Sequence, residues 1–307
     1  MSTGAVYAMI ALGYTLVYGV LQLINFAHSE VFMLGSLGAF LAVSGLAPEG
    51  GATSQGQGAL LLLAAAVPAI LLGGLAAVAL ERVAYRPLRR RNAPRLAYLI
   101  SAIGASLFLA NSVRIWRGPN FENFPATVRS RVALDLSDTF FSGILPEAFH
   151  RVRIQNRDIT VFIIAMLTMI AVDQFINRSR TGRGIRAVAQ DAETAGLMGV
   201  NINRVITVTF LIGGLLAGLA GLLFGWSFGV TRFQIGFLPG VKAFTAAVLG
   251  GIGNIRGALL GGLLLGVFEN VAAGCFGVQW RDVVAFLILV LVLMFRPTGL
   301  LGEKGAA

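Results

Sequence analysis

The stretch GRGIRAVAQDAETAGLMGVNINR, residues 182–204, separates ITVFIIAMLTMIAVDQFI (159–176) from VITVTFLIGGLLAGLAGLLFG (205–225). A helix crossing a hydrocarbon core needs about 20 mostly apolar residues, and each flank supplies that run. The chain therefore leaves lipid, forms a short polar element and returns. Within that element, apolar or small residues recur at Ile185, Val188, Ala189, Ala192, Ala195 and Gly196, near a helical period. Arg186, Gln190, Asp191, Glu193 and Thr194 occupy the other faces, and Gly199 suits a left-handed helix terminator. The pattern predicts one short amphipathic helix over residues 185–199. Its apolar face is mostly alanine, too small for a lipid anchor. A small-residue face suits docking into a protein groove.

The rest of the chain agrees with a membrane setting. Of 307 residues, 56% are hydrophobic and only 12% charged. A soluble domain carries roughly 25% charged residues. The net charge of +10 reflects basic residues collected in cytoplasmic links rather than a nucleic-acid surface. Cys275 stands alone, which excludes an intramolecular disulfide and a cysteine metal cluster.

Apolar spans are expected near 4–24, 27–46, 59–80, 96–115, 158–177, 205–225, 257–274 and 281–296. A short glycine-rich segment, 240–255, is too brief for a comfortable crossing and reads as short or re-entrant. The fold class is thus an all-α polytopic membrane bundle of about eight helices plus that segment, in one domain over 1–307. The link ERVAYRPLRRRNAPR (81–95) holds six arginines against one acid, and Arg178, Arg180, Arg183 and Arg186 precede Asp191. Both links are expected in the cytoplasm, with the C-terminus inside if 240–255 counts as a crossing. The link 116–157 then faces outward although it carries six arginines and four acids, against the plain form of the rule. It is expected to hold a short external helix or a docking surface. Asp173 is expected to partner the arginines at 178 and 180. Glycines at 214, 218, 221, 225 and 229, at 257 with 261, and at 262 with 266 recur at spacings that let helices approach closely.

Catalytic signatures are missing. No glycine is followed directly by lysine, so no P-loop can be drawn, and His28 and His150 cannot form a histidine metal motif. The one G-x-S-x-G, GWSFG (225–229), has no intramembrane serine–histidine arrangement to go with it. No metal or cofactor is expected, and transport is favoured over enzyme chemistry. Charged groups are costly in lipid, so those within spans are functional candidates. Asn25, His28 and Glu30, in INFAHSE, sit at a break between the first two spans. They either cap the second helix at an interfacial turn or border a translocation path. Lys242 either reaches the outer interface or faces a water-filled path. Glu269 needs a buried partner or a cavity position, and the sequence names no partner. INFAHSE and AFTAAVLGGIGNIRG both interrupt apolar runs, a hint of internal pseudo-symmetry.

The pattern Glu193-x-Ala195-x-x-x-Gly199 resembles the coupling loop of ABC-importer permeases, in which a short cytoplasmic helix inserts into the ATPase subunit. ALGYTLVYGVLQLINFAHSEVFMLG (11–35), ERVAYRPLR (81–89), LISAIGASLFLAN (99–111), GRGIRAVAQDAETAGLMGVNINRVITVTFLIGG (182–214), GVKAFTAAVLGGIGNIRGALLGGLLLG (240–266) and RPTGLLGE (296–303) extend the likeness. In that order they resemble the LivH-type branched-chain amino acid permease family. The family usually has about half a span more before Gly4, and glycine where this chain has Ser29. The resemblance implies a non-catalytic subunit in a bacterial inner membrane, without cofactor. Its expected partners are a second related permease subunit, two cytoplasmic ATP-binding subunits and an external binding protein delivering leucine, isoleucine or valine. It also implies that Arg183, Arg186, Asp191, Glu193, Ala195 and Gly199 form the ATPase-coupling element. Sister permeases for urea, short amides or other amino acids share much of the pattern. A self-sufficient carrier or channel is the reading from another class, and it has no use for a docking helix.

Overall fold

The computed structural model describes residues 2–47, 55–125 and 156–302. Twelve α-helices are found among them. They are α1 (Ser2–Leu21), α2 (His28–Leu46), α3 (Gln55–Leu80), α4 (Arg86–Arg90), α5 (Arg95–Arg117), α6 (Asn156–Arg178), α7 (Arg180–Gln190), α8 (Ala192–Leu197), α9 (Ile202–Phe228), α10 (Phe237–Gly250), α11 (Ile255–Phe276) and α12 (Arg281–Phe295). Two residue pairs, β1 (Glu122–Asn123) and β2 (Val230–Thr231), form an antiparallel bridge. Among the described residues, eight helical spans are long and apolar enough to cross a membrane, as the sequence pattern requires. The expected external element of the 116–157 link falls on 126–155, outside the described residues.

Glycine sets the packing. An added Cβ at Gly218 would lie 2.3 Å from the Ala69 carbonyl oxygen, one at Gly35 would lie 2.4 Å from the Gly218 Cα, and one at Gly262 would lie 2.4 Å from the Ala8 Cα. These are backbone atoms that cannot step aside, so only hydrogen fits. The near approach replaces the hydrophobic drive that helices lack when they meet inside lipid. Helix α1 is the innermost element, with every residue from Gly4 to Val17 buried. It runs antiparallel to α11, with Gly4 beside Gly266 and Ala8 beside Gly262.

Two helices begin inside the bundle. The expected span 4–24 stops at Leu21, where Gln22 takes the left-handed φ of 52°. The chain turns back, and α2 starts at His28, whose imidazole packs on Gly13, eight residues short of the end of α1. Eight residues of helix rise about 12 Å, so α2 starts well within the membrane. The glycine-rich segment expected over 240–255 is a 14-residue helix that begins earlier, at Phe237, and ends at Gly250. Gly236, just before it, sits with its α-carbon against the Ser29 carbonyl. The starts of α2 and α10 thus meet in the interior, and the two helices leave in opposite directions. A break followed by a half-depth start therefore occurs twice, once in each sense.

The arginine-rich links gather at one end. Arg89 Nη2 at the end of α4 donates to Glu81 Oε1 (2.9 Å) and to Asn203 Oδ1 at the start of α9 (2.8 Å). The tail returns to the same end: the amides of Leu300 and Leu301 donate to the carbonyls of Leu249 and Gly250, and Asn254 Nδ2 donates to the Leu301 carbonyl. Asp173 departs from expectation. It pairs with Arg256 Nε of α11 at 3.7 Å and not with the arginines at 178 and 180, because α11 packs beside α6 there.

Candidate functional site

The break before α2 holds Asn25, His28, Ser29 and Glu30, all buried. Asn25 Oδ1 accepts from the Ala27 amide (3.1 Å) and from the Tyr85 hydroxyl (2.7 Å). Helix α2 has no side-chain cap at Ala27, so Asn25 serves the turn before the helix instead. The His28 ring meets Tyr14 edge-on at 4.9 Å, and its Nε2 is buried without a hydrogen-bond partner. Ser29 Oγ donates to the Phe26 carbonyl at 2.8 Å. Glu30 Oε1 accepts from Ser106 Oγ of α5 at 3.2 Å, while Oε2 is buried and has no partner.

Glu30 faces a cavity of about 660 Å³ between α2, α5 and the start of α10. Tyr14, Phe26, Ile103, Leu107, Phe233 and Leu238 make its walls predominantly apolar. Ser29, Glu30 and Ser106 supply polarity at one end, and Asn111, Arg114, Arg232 and Gln234 at the other. Ser106 and Arg114 are eight residues apart on α5, or about 12 Å along the axis. The acid and the two guanidiniums therefore bracket the cavity without touching. Of the path candidates Asn25, His28, Glu30, Lys242 and Glu269, only Glu30 lines it, beside Ser29. Asn111, Arg114, Arg232 and Gln234 carried no signal that would mark them, since each is an ordinary polar residue near a span end or a turn, and Ser106 is a single hydroxyl in the middle of its span.

Lys242 and Glu269 lie elsewhere and together. The Lys242 ammonium is 2.8 Å from Glu269 Oε1 and 2.7 Å from Asp282 Oδ1, and it sits 5.8 Å from the Tyr7 ring. The Tyr7 hydroxyl donates to Glu269 Oε2 at 3.2 Å. Lys242 and Glu269 are buried, whereas Asp282 is half exposed at the start of α12. The cluster ties α1, α10, α11 and α12, and neither Lys242 nor Glu269 lines the cavity beside Glu30. This is the partner that the sequence could not name.

The polar element at 182–204 is two helices, not the single one expected over 185–199. Asp191 breaks it, with extended backbone at φ −153° and ψ 107°. The reason is capping chemistry. Asp191 Oδ1 accepts from the amides of Glu193 (2.9 Å) and Thr194 (3.1 Å), Oδ2 accepts from the Thr194 hydroxyl, and these bonds start α8 anew. The Thr194 hydroxyl and then the backbone amides hold the Asp191 carboxyl below its usual range. Ser179 Oγ caps α7 by accepting from the Gly182 amide at 2.8 Å.

At the far end, the Val200 amide donates to the Ala195 carbonyl and the Gly199 amide to the Gly196 carbonyl, both at 3.0 Å. With Gly199 at φ 84°, this is the paired terminal hydrogen bonding of a left-handed helix stop. Arg186 Nη1 donates to Asn177 Oδ1 at 2.7 Å and so braces the loop internally, while Arg183 is exposed. Ala195 is 5% exposed, buried within its own chain against the start of α9. At Ala195 the expected docking face therefore points inward, while Ala192 of that face is exposed. What protrudes is Leu197 and Met198, 84% and 81% exposed, with Glu193 also exposed. Two bulky apolar residues just before a terminating glycine in a polar loop were the available signal, and the alanine periodicity masked it.

Residues 1–293 match the family described as branched-chain amino acid transport system / permease component. The chain is 47% identical over 303 residues to the high-affinity branched-chain amino acid transport system permease protein BraD of Pseudomonas aeruginosa, covering 99% of this chain and 94% of the relative. It is 43% identical to LivH of Escherichia coli strain K12, with 99% and 93% covered. A probable LivH of Methanocaldococcus jannaschii is 25% identical over 309 residues, 96% of this chain and 88% of the relative. No solved structure matches. A helical bundle interrupted at two half-depth starts, with a doubly capped loop at its arginine-rich end and this likeness along nearly its whole length, belongs to the branched-chain amino acid permease family.

Proposed function

We infer that this chain is a membrane-spanning subunit of an ATP-driven importer of branched-chain amino acids, working with separate ATP-binding subunits, a second permease and an external binding protein. The observation that carries the reading is the protrusion of Leu197 and Met198 from a short helix capped at both ends. A pair this small cannot anchor the loop in lipid, and a carrier working alone has no use for it. Fixed by Asp191 and Gly199, it is a rigid apolar knob of the sort that fills a groove in a partner. Arg183 and Glu193 lie exposed on the same loop. The excess of arginine at the end that carries this loop supports a cytoplasmic position for that end, with the knob and the returning tail.

The cavity beside Glu30 fits the cargo. Its apolar walls accept an aliphatic side chain, the unpartnered Glu30 oxygen accepts an ammonium, and Arg114 and Arg232 lie toward the opposite end for a carboxylate. An amino acid's two charges are only a few ångströms apart, so it meets the guanidiniums and the acid in turn and is not held by both. Ile103, Leu107, Phe237 and Leu238 on the rim are exposed, which suits closure of the path by the second permease.

The test is leucine uptake into proteoliposomes holding the full complex. Uptake is expected to require the ATP-binding subunits and ATP on their side, and Glu30→Gln is expected to lower uptake more than it lowers ATPase assembly. Uptake by the purified chain alone under a proton or sodium gradient would establish the carrier reading instead. The relatives' names point to branched aliphatic substrates, and competition by urea or short amides at equal strength would shift the substrate class.

A further inference from the structure

Helix α3 does not stop at the membrane edge. It continues through a wider π-type turn, Glu81–Tyr85, into α4, so that Gln57–Arg90 is one helical span of 34 residues. That is about 51 Å at helical rise, against a hydrocarbon core of about 30 Å. The final turns therefore stand at the depth of lipid headgroups. Arg82, Arg86 and Arg90 follow one another at four-residue intervals there, and Arg91 adds a fourth guanidinium at the turn. With Pro87 they line a hollow of about 400 Å³.

No acid answers these four. The neighbouring Arg89 is consumed by Glu81 and Asn203, but among the described residues none of Arg82, Arg86, Arg90 and Arg91 forms an ion pair. Arg86 Nε is buried and has no hydrogen-bond acceptor. A buried donor without an acceptor is uncommon and asks for a ligand. The flanks are apolar and exposed: Val83 at 77%, Leu96 at 70% and Ile100 at 69%. A ligand with a phosphate at the hollow and acyl chains along those residues meets both chemistries. Guanidinium forks bind phosphate oxygens bidentately, and basic hollows at this depth favour anionic headgroups.

We propose that the hollow lined by Arg82, Arg86, Arg90 and Arg91 binds the phosphate of an anionic phospholipid. Bound there, the headgroup braces the helix end whose Glu81 holds Arg89 and, through Oε2, the Thr207 hydroxyl of α9. That end adjoins the loop bearing Leu197 and Met198.

The experiment titrates phosphatidylglycerol or phosphatidylcholine in mixed micelles into the purified full complex and quantifies retained lipid by native mass spectrometry. Retention of phosphatidylglycerol over phosphatidylcholine is expected. Arg86→Gln with Arg90→Gln is expected to weaken it roughly thirtyfold, at about fivefold per guanidinium near an anionic surface. Arg178→Gln with Arg180→Gln removes the same charge from the same end and is expected to leave retention unchanged. Inorganic phosphate at millimolar concentration is expected not to displace the lipid. Equal loss in both double variants would make the effect a general surface field and overturn the site, and displacement by inorganic phosphate alone would make the ligand free phosphate. Loss of the ATP-binding subunits with lipid retention intact would assign the arginines to an acidic protein surface.

Discussion

The Lys242 ammonium and the Glu269 carboxylate, 27 residues apart in sequence, meet at 2.8 Å between α10 and α11, both buried. Lys242 also reaches Asp282, so it is removal of Lys242 that leaves the buried Glu269 carboxylate with no counter-ion in a poorly solvated place, which costs about 3 kcal/mol or more. Lys242→Met is expected to lower thermal stability in detergent sharply, and Lys242→Met with Glu269→Leu to recover most of it. The melting curves of the three proteins check this. A Lys242→Met variant as stable as the parent would show that the pair contributes little and that both residues are free for a path role.

The protruding knob makes a sharper test of coupling than the small face does. Leu197→Asp with Met198→Asp changes only exposed side chains, so insertion and folding are expected to be unchanged while capture of the ATP-binding subunits falls at least tenfold. Ala195→Arg is expected to do something else: it forces a long side chain into a buried position and lowers stability as well as uptake. Pull-down of the ATP-binding subunits beside a melting curve separates the two. Full capture by the double aspartate variant would remove the knob from the coupling surface.

Gly199→Val tests the stop of α8. At φ 84° a branched side chain is strained by roughly 1–2 kcal/mol, and the loop is expected to lose its fixed geometry while the bundle stays intact. Uptake is expected to drop, and ATP hydrolysis to persist without transport. At the other end, Asp191→Asn keeps an oxygen for the two amides and is expected to be mild, whereas Asp191→Ala removes the cap. The depressed carboxyl gives a direction with pH: the cap's contribution is present above the unfolded carboxylate range and is lost as pH falls through the lower folded value. Hydrogen exchange in 192–199 at neutral and acid pH reads it.

Gly218→Ala addresses the interior. The added methyl would lie 2.3 Å from the Ala69 carbonyl oxygen, and separating the backbones is expected to cost about 1–3 kcal/mol. Gly104→Ala, where a Cβ meets nothing within 4 Å, is the matched control and is expected to be neutral. Equal melting temperatures for the two variants would mean that the close approach at Gly218 is not the tight contact described.

Much of this protein is legible in the chain itself, because the membrane imposes a strong local rule. Backbone groups in lipid must be satisfied within one segment, so a long apolar run is a helix whatever surrounds it. The eight spans follow from that rule; the arginine-rich end follows from the charge bias of cytoplasmic links, the glycine spacing from close helix approach in lipid, and the stop at Gly199 from glycine's freedom at positive φ. Pairings between distant segments do not. Tyr7 and Glu269 are 262 residues apart, and nothing along the sequence says that α1 lies against α11. The same holds for Arg256 and Asp173, and for Glu30 and Ser106. Ala195 shows the limit most plainly: its helical spacing marks a buried face, but only the packing of α8 on α9 decides that the chain buries that face on itself. Local periodicity says which side of a helix avoids water. The choice between lipid, a partner and the rest of the chain as its neighbour belongs to the tertiary structure, because that choice depends on contacts the helix does not carry.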